Sequence, residues 1–426
     1  MTTSLSRMMM IGSFCLLMLV LLAWLPFNAT AQDTVKIGMV TTLSGPFEFV
    51  GRTYVAGITF AVDEQNEKGG LLGKKIEVLI DDDEFKTDVA LRRVKNLILE
   101  KKINFVTGGG SGTTIALNKL VTDYKTTIQI DTTASADAIT GKEFSPYSFN
   151  VCYNSYSIAS ALAYAMKETP YRRFFLLNMD YALGRESAKT FKEAIKVHIP
   201  NVEIVGEDYH PPATKDFSPY ITKIIASKAD AIYTANYGPD FLNLVKQARD
   251  LGLAKSVPFL GVHAGDPYAL SRLKDEGVGI YQAATYSMNV KTPENQRIIA
   301  KYHERHKNDK DYLTWWPYSQ LGITILGWKM VFAAVEKAGS LDPQKIIETF
   351  EGFKYESAVG PWTMRKCDHL LIPPYFVGVT KGGWNPYFNG SIRPEVEFPW
   401  EGPDIITVPA NVAARPPTPD YNPRCP

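Results

Sequence analysis

The sequence predicts an α/β protein built as two doubly wound, Rossmann-like lobes joined by a three-segment hinge. Short apolar runs alternate with amphipathic runs of helical length, and the alternation stops once and begins afresh. Length points the same way, because 426 residues exceed what one ordinary hydrophobic core organises.

The first series opens at 35–42 (VKIGMVTT), a run apolar enough for a strand buried on both faces. A helix over 53–67 ends at Gly69-Gly70, and 75–80 (KIEVLI) is the next strand, running into Asp81-Asp82-Asp83. Helix 89–101, strand 104–107, helix 113–123 and strand 127–131 follow. The second series has strands at 174–179 (FFLLNM), 202–205, 231–235 and 258–262, separated by helices at 184–197, 219–227, 239–252 and 268–276. Two later helical patterns, 294–306 and 320–337, return to the first lobe. Three segments fall where one series gives way to the other: 147–153, 279–285 and 355–362. They are the expected crossings.

These runs divide the chain into a leader at 1–31, a first lobe of 32–150 plus 283–358, a second lobe of 151–282 plus 359–390, and an extended tail at 391–426. The leader is read from Arg7, the apolar run 8–25, and the Ala29-Thr30-Ala31 exit that a signal peptidase requires. A cleaved leader implies export and an extracytoplasmic location. The proline-rich tail, ending PPTPDYNPRCP, shows neither helical nor strand period, so it is expected as an arm on the surface or partly disordered.

Charge excludes some partners. With 46 basic and 45 acidic residues, the chain has no excess charge with which to hold nucleic acid or a membrane surface. Of the four cysteines, Cys15 falls in the leader, leaving Cys152, Cys367 and Cys425. An oxidising compartment permits one disulfide among them. Cys152 and Cys367, placed in or near the crossings, are the expected pair. No C-x-x-C pair supports a metal, and no cofactor motif is present. His303-Glu304-Arg305-His306 reads as a solvated helix face, and the acidic run 81–84 as a solvated strand end without the spacing of a calcium loop.

The chemistry gathers at strand ends. Thr107-Gly108-Gly109-Gly110-Ser111-Gly112-Thr113 closes a strand and opens a helix. Its glycines let a ligand approach the backbone, and the exposed amides with the Ser111 and Thr113 hydroxyls suit a carboxylate. The same residues would also make a plain strand-to-helix turn. One strand later, 131–137 (DTTASAD) places small hydroxyls where open α/β sheets bind ligands, although Ser135 would equally serve as a helix cap. In the second series Tyr181, Tyr237 and His263 each follow a strand, where a tyrosine offers a ring face and a hydroxyl.

Taken in order, VKIGMVTTLSGPFEFVG, NEKGGLLGKKIEVLIDDD, GGGSGTT, DTTASADAIT, DYALGRESAKTF, ADAIYTANYGPDFLNLVKQARDLGL and GPWTMRKCDH resemble the periplasmic binding proteins of the branched-chain amino-acid ABC transport family, the type I periplasmic-binding fold. The resemblance spans roughly residues 35–379. It implies a carboxylate-binding turn at Ser111, Gly112 and Thr113, a second ligand-binding segment at Thr133 and Ser135, cleft aromatics at Tyr181 and Tyr237, and an apolar contact at Val50. It also implies a monomer that captures a small-molecule ligand between closing lobes and hands it to ABC permease and ATPase subunits.

One departure bears on the ligand. Where amino-acid binders of that family present a glutamate to the ligand's ammonium, this chain has His263. An imidazole brings no negative charge to meet an ammonium. An aromatic or aliphatic acid, or an amide, therefore becomes a ligand comparable with a branched-chain or other amino acid. Two other functions are compatible with the pattern: a sensor module reporting occupancy to a receptor or kinase, and a secreted α/β enzyme. The enzyme would need a nucleophile–base pair or metal set, and none is legible.

Overall fold

A computed structural model describes residues 34–264, 266–309, 315–381, 400–401 and 404–426. The leader expected at 1–31 and the start of the tail lie outside them. Among the described residues no helix is long and apolar enough to cross a membrane.

The first sheet has the order β2-β1-β3-β4-β5, with β1 at Val35–Thr41, β2 at Ile76–Asp82, β3 at Phe105–Thr107, β4 at Ile128–Asp131 and β5 at Ser148–Asn150. Every pairing in it is parallel. Helices α1 (Glu48–Glu67), α2 (Thr87–Asn96) and α3 (Ser111–Tyr124) alternate with these strands. Six of the seven residues of β1 are buried, as expected of a strand covered on both faces.

The chain then crosses to a second sheet. Helix α4 (Ser155–Ala165) leads into β6 (Arg173–Met179), α5 (Ala182–His198), β7 (Glu203–His210), α6 (Ser218–Ser227) and β8 (Ala231–Thr234). The series continues with α7 (Gly238–Asp250), β9 (Phe259–Gly261), α8 (Pro267–Leu273) and β10 (Tyr281–Ala284). Helices α9 (Pro293–His306), α10 (Ser319–Ala338) and α11 (Pro343–Phe350) follow, and α10 lies along α1. Their approach is close at Gly57, where a Cβ would come within 2.8 Å of Thr324 Cβ. A three-stranded antiparallel sheet of β11 (Lys354–Ser357), β12 (Gly360–Met364) and β13 (Leu371–Ile372) precedes β14 (Tyr375–Lys381), which pairs antiparallel with β10. With β15 (Trp400–Glu401) the second sheet has the order β15-β14-β10-β9-β8-β6-β7.

Several expectations need correcting. Segment 279–285 contains β10, which belongs whole to the second sheet across the boundary drawn at 282/283. Segment 355–362 does not cross between lobes: it is the β11–β12 hairpin, closed at Ser357↔Gly360, and the passage to the second sheet follows β13. The expected Cys152–Cys367 bridge does not form. Cys367 is bonded to Cys425, with Cα atoms 4.9 Å apart, while Cys152 is a buried free thiol. The reason is the returning tail, which brings Cys425 to the β12–β13 turn.

That tail is no loose arm. Residues Ile406–Val408 form β16 on the exposed side of β14, and Ala410–Ala413 form α12, a single turn against α4. Tyr421 and Asn422 are buried, and their side chains bond the hydroxyl and the carbonyl of Thr140 in the first lobe. Proline composition concealed an ordered segment held by contacts distant in sequence.

Candidate ligand-binding site

The C-terminal ends of the two sheets enclose a cavity of about 240 Å³. This is where open α/β sheets place ligands. From the first lobe, Val50, Ser111, Gly112, Thr113, Thr133 and Ser135 border it; from the second, Tyr181, Tyr237 and His263 do. All nine residues named from the sequence thus line the same cavity.

Local geometry explains how the first lobe's turn is built. Gly108 has φ +103°, and a Cβ there would stand 2.3 Å from the Val40 carbonyl, so only glycine lets the chain leave β3 at this angle. Helix α3 begins at Ser111, which leaves the amides of Ser111, Gly112 and Thr113 in its first turn without intrahelical acceptors. Those donors and the positive end of the helix dipole favour an anion. Thr133 Oγ1 donates to the Gly109 carbonyl at 2.7 Å, tying the end of β4 to this turn. Ser135 Oγ is buried and has no partner among the described residues. Among the described residues no lysine or arginine borders the cavity. The described lining offers an acid head amides and hydroxyls.

His263 closes the site from the second lobe. Burial pushes its pKa down to about 4, so the ring is neutral at physiological pH. Gln320 Nε2 lies 2.9 Å and the Tyr153 hydroxyl 2.8 Å from its Nδ1, and since an amide nitrogen only donates, the single Nδ1 lone pair accepts. With Nδ1 accepting, the ring proton sits on Nε2, which has no partner among the described residues. His263 accordingly offers a neutral donor to whatever fills the cavity.

Aromatic contacts join the lobes around this point. Phe47, in the loop after β1, lies 5.5 Å from the ring of Tyr237, and Phe49 stacks on Tyr268 at 4.6 Å. The ring of Tyr237 lies 5.8 Å from that of His263. Burial raises the hydroxyl pKa of Tyr237 to about 12 and holds that of Tyr181 well above its usual value, so both remain protonated. The lobes are closed over the cavity.

Sequence reasoning missed other lining residues, among them Tyr54, Asp83, Phe85, Asp266 and Gln320. Asp266 caps α8: its carboxylate accepts the amides of Ala269 and Gly238, and burial raises its pKa to about 6. Asp83 overturns the reading of 81–84 as a solvated strand end, since it is 2 % exposed. Only the acidic run hinted at it. Asp240, an acid that sequence position could have set against a ligand ammonium, is buried elsewhere and accepts the Ala213 amide. His303 and His306 lie away from the cavity; His303 stacks on Trp316 and His306 on Tyr302.

Two parallel α/β layers closing over one cavity at their strand ends define a bilobed, ligand-enclosing protein of the type I periplasmic-binding fold. The chain belongs to the periplasmic binding protein family, whose model matches residues 34–383. It is 26% identical over 362 residues to the Leu/Ile/Val-binding protein homolog 4 of Brucella melitensis, covering 82% of this chain and 84% of that one. Among solved structures it resembles the closed leucine-, isoleucine-, valine-, threonine- and alanine-binding protein of Brucella ovis, with TM-score 0.78, 22% identity, and 90% and 97% of the two chains covered. It also resembles an ABC-transporter solute-binding protein of Rhodopseudomonas palustris in complex with 3,4-dihydroxybenzoic acid, with TM-score 0.75, 23% identity, and 88% and 98% covered.

Proposed function

We propose that this protein is the extracytoplasmic solute-binding component of an ABC importer. It captures a small carboxylate-type ligand by closure of two lobes and performs no chemistry on it. The observation that carries this reading is the cavity itself. An anion-suited helix start at Ser111–Thr113 and the unpartnered Ser135 hydroxyl face a neutral imidazole donor across a closed cleft. Closure is favoured only by contacts absent from the open form, so Tyr181, Tyr237 and His263 act as the closing surface. The named ligands of the relatives, amino acids in one case and a hydroxylated aromatic acid in another, support a ligand with an acid head.

In this reading the chain is exported through its leader, works as a monomer, and presents its closed form to permease and ATPase subunits. A neutral Nε2 donor at position 263 meets an acceptor and gives an α-ammonium no compensating charge. Calorimetry with a panel of acids, amides and amino acids tests this. Aromatic or aliphatic carboxylates should bind more tightly than leucine, isoleucine and valine, and His263→Glu should move preference toward amino acids. Micromolar binding of leucine with no response to simple acids or amides would refute the ligand class while leaving the solute-binding role.

A further inference from the structure

The cavity has a second polar end that the carboxylate reading does not use. Asp83 follows β2, next to Thr42 at the end of β1, and borders the cavity while 2 % exposed. Its Oδ1 accepts the Thr42 hydroxyl at 2.7 Å and the Phe85 amide at 2.8 Å. Its Oδ2 has no partner among the described residues. The other acid of the wall, Asp266, uses both oxygens on backbone amides and is thereby accounted for as a helix cap. Asp83 is the acid with an oxygen to spare.

The surrounding loop presents that oxygen at some conformational cost. Glu84 and Phe85 have φ +53° and +57°, a left-handed conformation that side-chain-bearing residues seldom adopt. Asp82 Oδ1 accepts the Leu43 and Glu84 amides, and Asp83 Oδ1 the Phe85 amide, so the two carboxylates hold the turn. Phe85 is thereby set against Phe47, ring centroids 4.8 Å apart, though 47 % exposed; both rings border the cavity. Strained backbone of this kind is kept where the side chains it places have a task.

We infer that Asp83, walled by Phe47 and Phe85, is a specificity subsite for a hydrogen-bond donor on the ligand end opposite the acid head. This rests on the carboxylate reading above. With the order β2-β1-β3, the ends of β2 and β3 stand two strand spacings apart, about 10 Å. A small ring or a short chain spans the space between Asp83 and the α3 start. Among the described residues no lysine or arginine of the lining neutralises Asp83, so a ligand bearing only an acid would leave Oδ2 desolvated without a donor from them. A hydroxyl or an ammonium at the far end supplies one, and either forms a charge-assisted bond.

Matched probes test the subsite. The wild-type protein and Asp83→Asn are titrated calorimetrically with 4-methylbenzoate, 4-hydroxybenzoate and 4-(aminomethyl)benzoate, and with hexanoate, 6-hydroxyhexanoate and 6-aminohexanoate. Asparagine keeps the shape and the Oδ1 acceptor but replaces Oδ2 with a donor. In the wild type, a donor-bearing probe should bind about tenfold more tightly than its methyl-ended counterpart. In Asp83→Asn that ratio should collapse toward one for a hydroxyl, and below one for an ammonium. A thermal melt establishes that the variant is folded. Equal binding of methyl- and donor-ended acids, or a ratio unchanged in Asp83→Asn, overturns the subsite and leaves the carboxylate reading standing. Failure of all six acids to bind overturns both.

Discussion

Glu186, on α5 of the second lobe, accepts the backbone amide of Asp137 on the first lobe at 2.7 Å, and its other oxygen accepts the Ala138 amide at 3.1 Å. The Asp137 carboxylate accepts the Tyr156 amide and an ion pair from Arg415 of the tail. Burial pushes both carboxyls above the usual range against the pull of Arg415, with Asp137 repelling Glu186 and Glu193 repelling Asp137.

A raised pKa in the closed form means that closure takes up protons. Closure therefore strengthens as pH falls through the neutral range and weakens as it rises. Ligand affinity should increase from pH 8 to pH 6, and Glu186→Gln should flatten that slope. The variant should also bind about fivefold more weakly at pH 6, having lost an interlobe acceptor. An unchanged pH slope in Glu186→Gln would show that the clasp does not govern closure.

Gly238 offers a steric test of the same closure. It has φ +55°, and a Cβ there would stand 2.5 Å from the Phe49 ring across the cleft. Gly238→Ala should weaken ligand binding by tenfold or more, because the clash exists only when the lobes meet. Its cost to thermal stability should be confined to the backbone conformation, about 1 kcal/mol. Comparison of binding constants with the urea midpoint separates the two. An affinity loss no larger than the stability loss predicts would mean that Phe49 simply swings away.

The alternation of strands and helices was legible because each strand is a short apolar run and each surface helix has a polar face. Helix α4 was not legible. Its sequence SYSIASALAYA is small and apolar on nearly every side, with nine of eleven residues buried, so no stripe marks it. Site residues at strand ends could be located because topology brings strand ends together. Gln320, at the start of α10, and Asp83, inside an acidic run, reach the cavity only through packing. The disulfide was misread for the same reason, since nothing local to Cys425 says that the tail doubles back.

The Cys367–Cys425 bond closes a loop across a sequence separation of 58 and fixes the tail to the first lobe. Replacing both cysteines with alanine should lower stability by about 3 kcal/mol, measured by urea unfolding. Limited proteolysis should then cut near residues 415–420, which the wild type protects. Equal midpoints and equal cleavage patterns would mean that the contacts of Tyr421 and Asn422 hold the tail unaided.

Glu64, 3 % exposed on α1, meets Arg297 at 2.7 Å, Lys329 at 2.9 Å and Lys301 at 3.1 Å. Burial opposes its charge, but hydrogen bonds from the three cations outweigh burial and hold its carboxyl well below the carboxylate range. The resulting stability is full above the unfolded-state value near pH 4.5 and is lost as pH falls below it. Glu64→Gln should destabilise the protein by about 2 kcal/mol at pH 7, a figure reduced because the cations are partly solvated. The gap between wild type and variant should narrow below pH 4. A constant gap across that range would assign the loss to packing.

His263 makes the opposite use of burial. Its pKa of about 4 lies below the unfolded-state value near 6.5, so the unfolded chain takes up a proton that the folded one refuses. Stability tied to this group is complete above pH 6.5 and declines as pH falls toward 4, by a few kcal/mol in all. His263→Gln, which cannot titrate, should remove that part of the decline, so its urea midpoint should fall less steeply between pH 6.5 and 4. Proton NMR of the ligand-free protein should show the His263 ring unprotonated at pH 5.5. A His263 midpoint near 6.5 would mean that the ring becomes cationic in the cleft. The neutral Nε2 donor, and the preference for acids drawn from it, would then have to be abandoned.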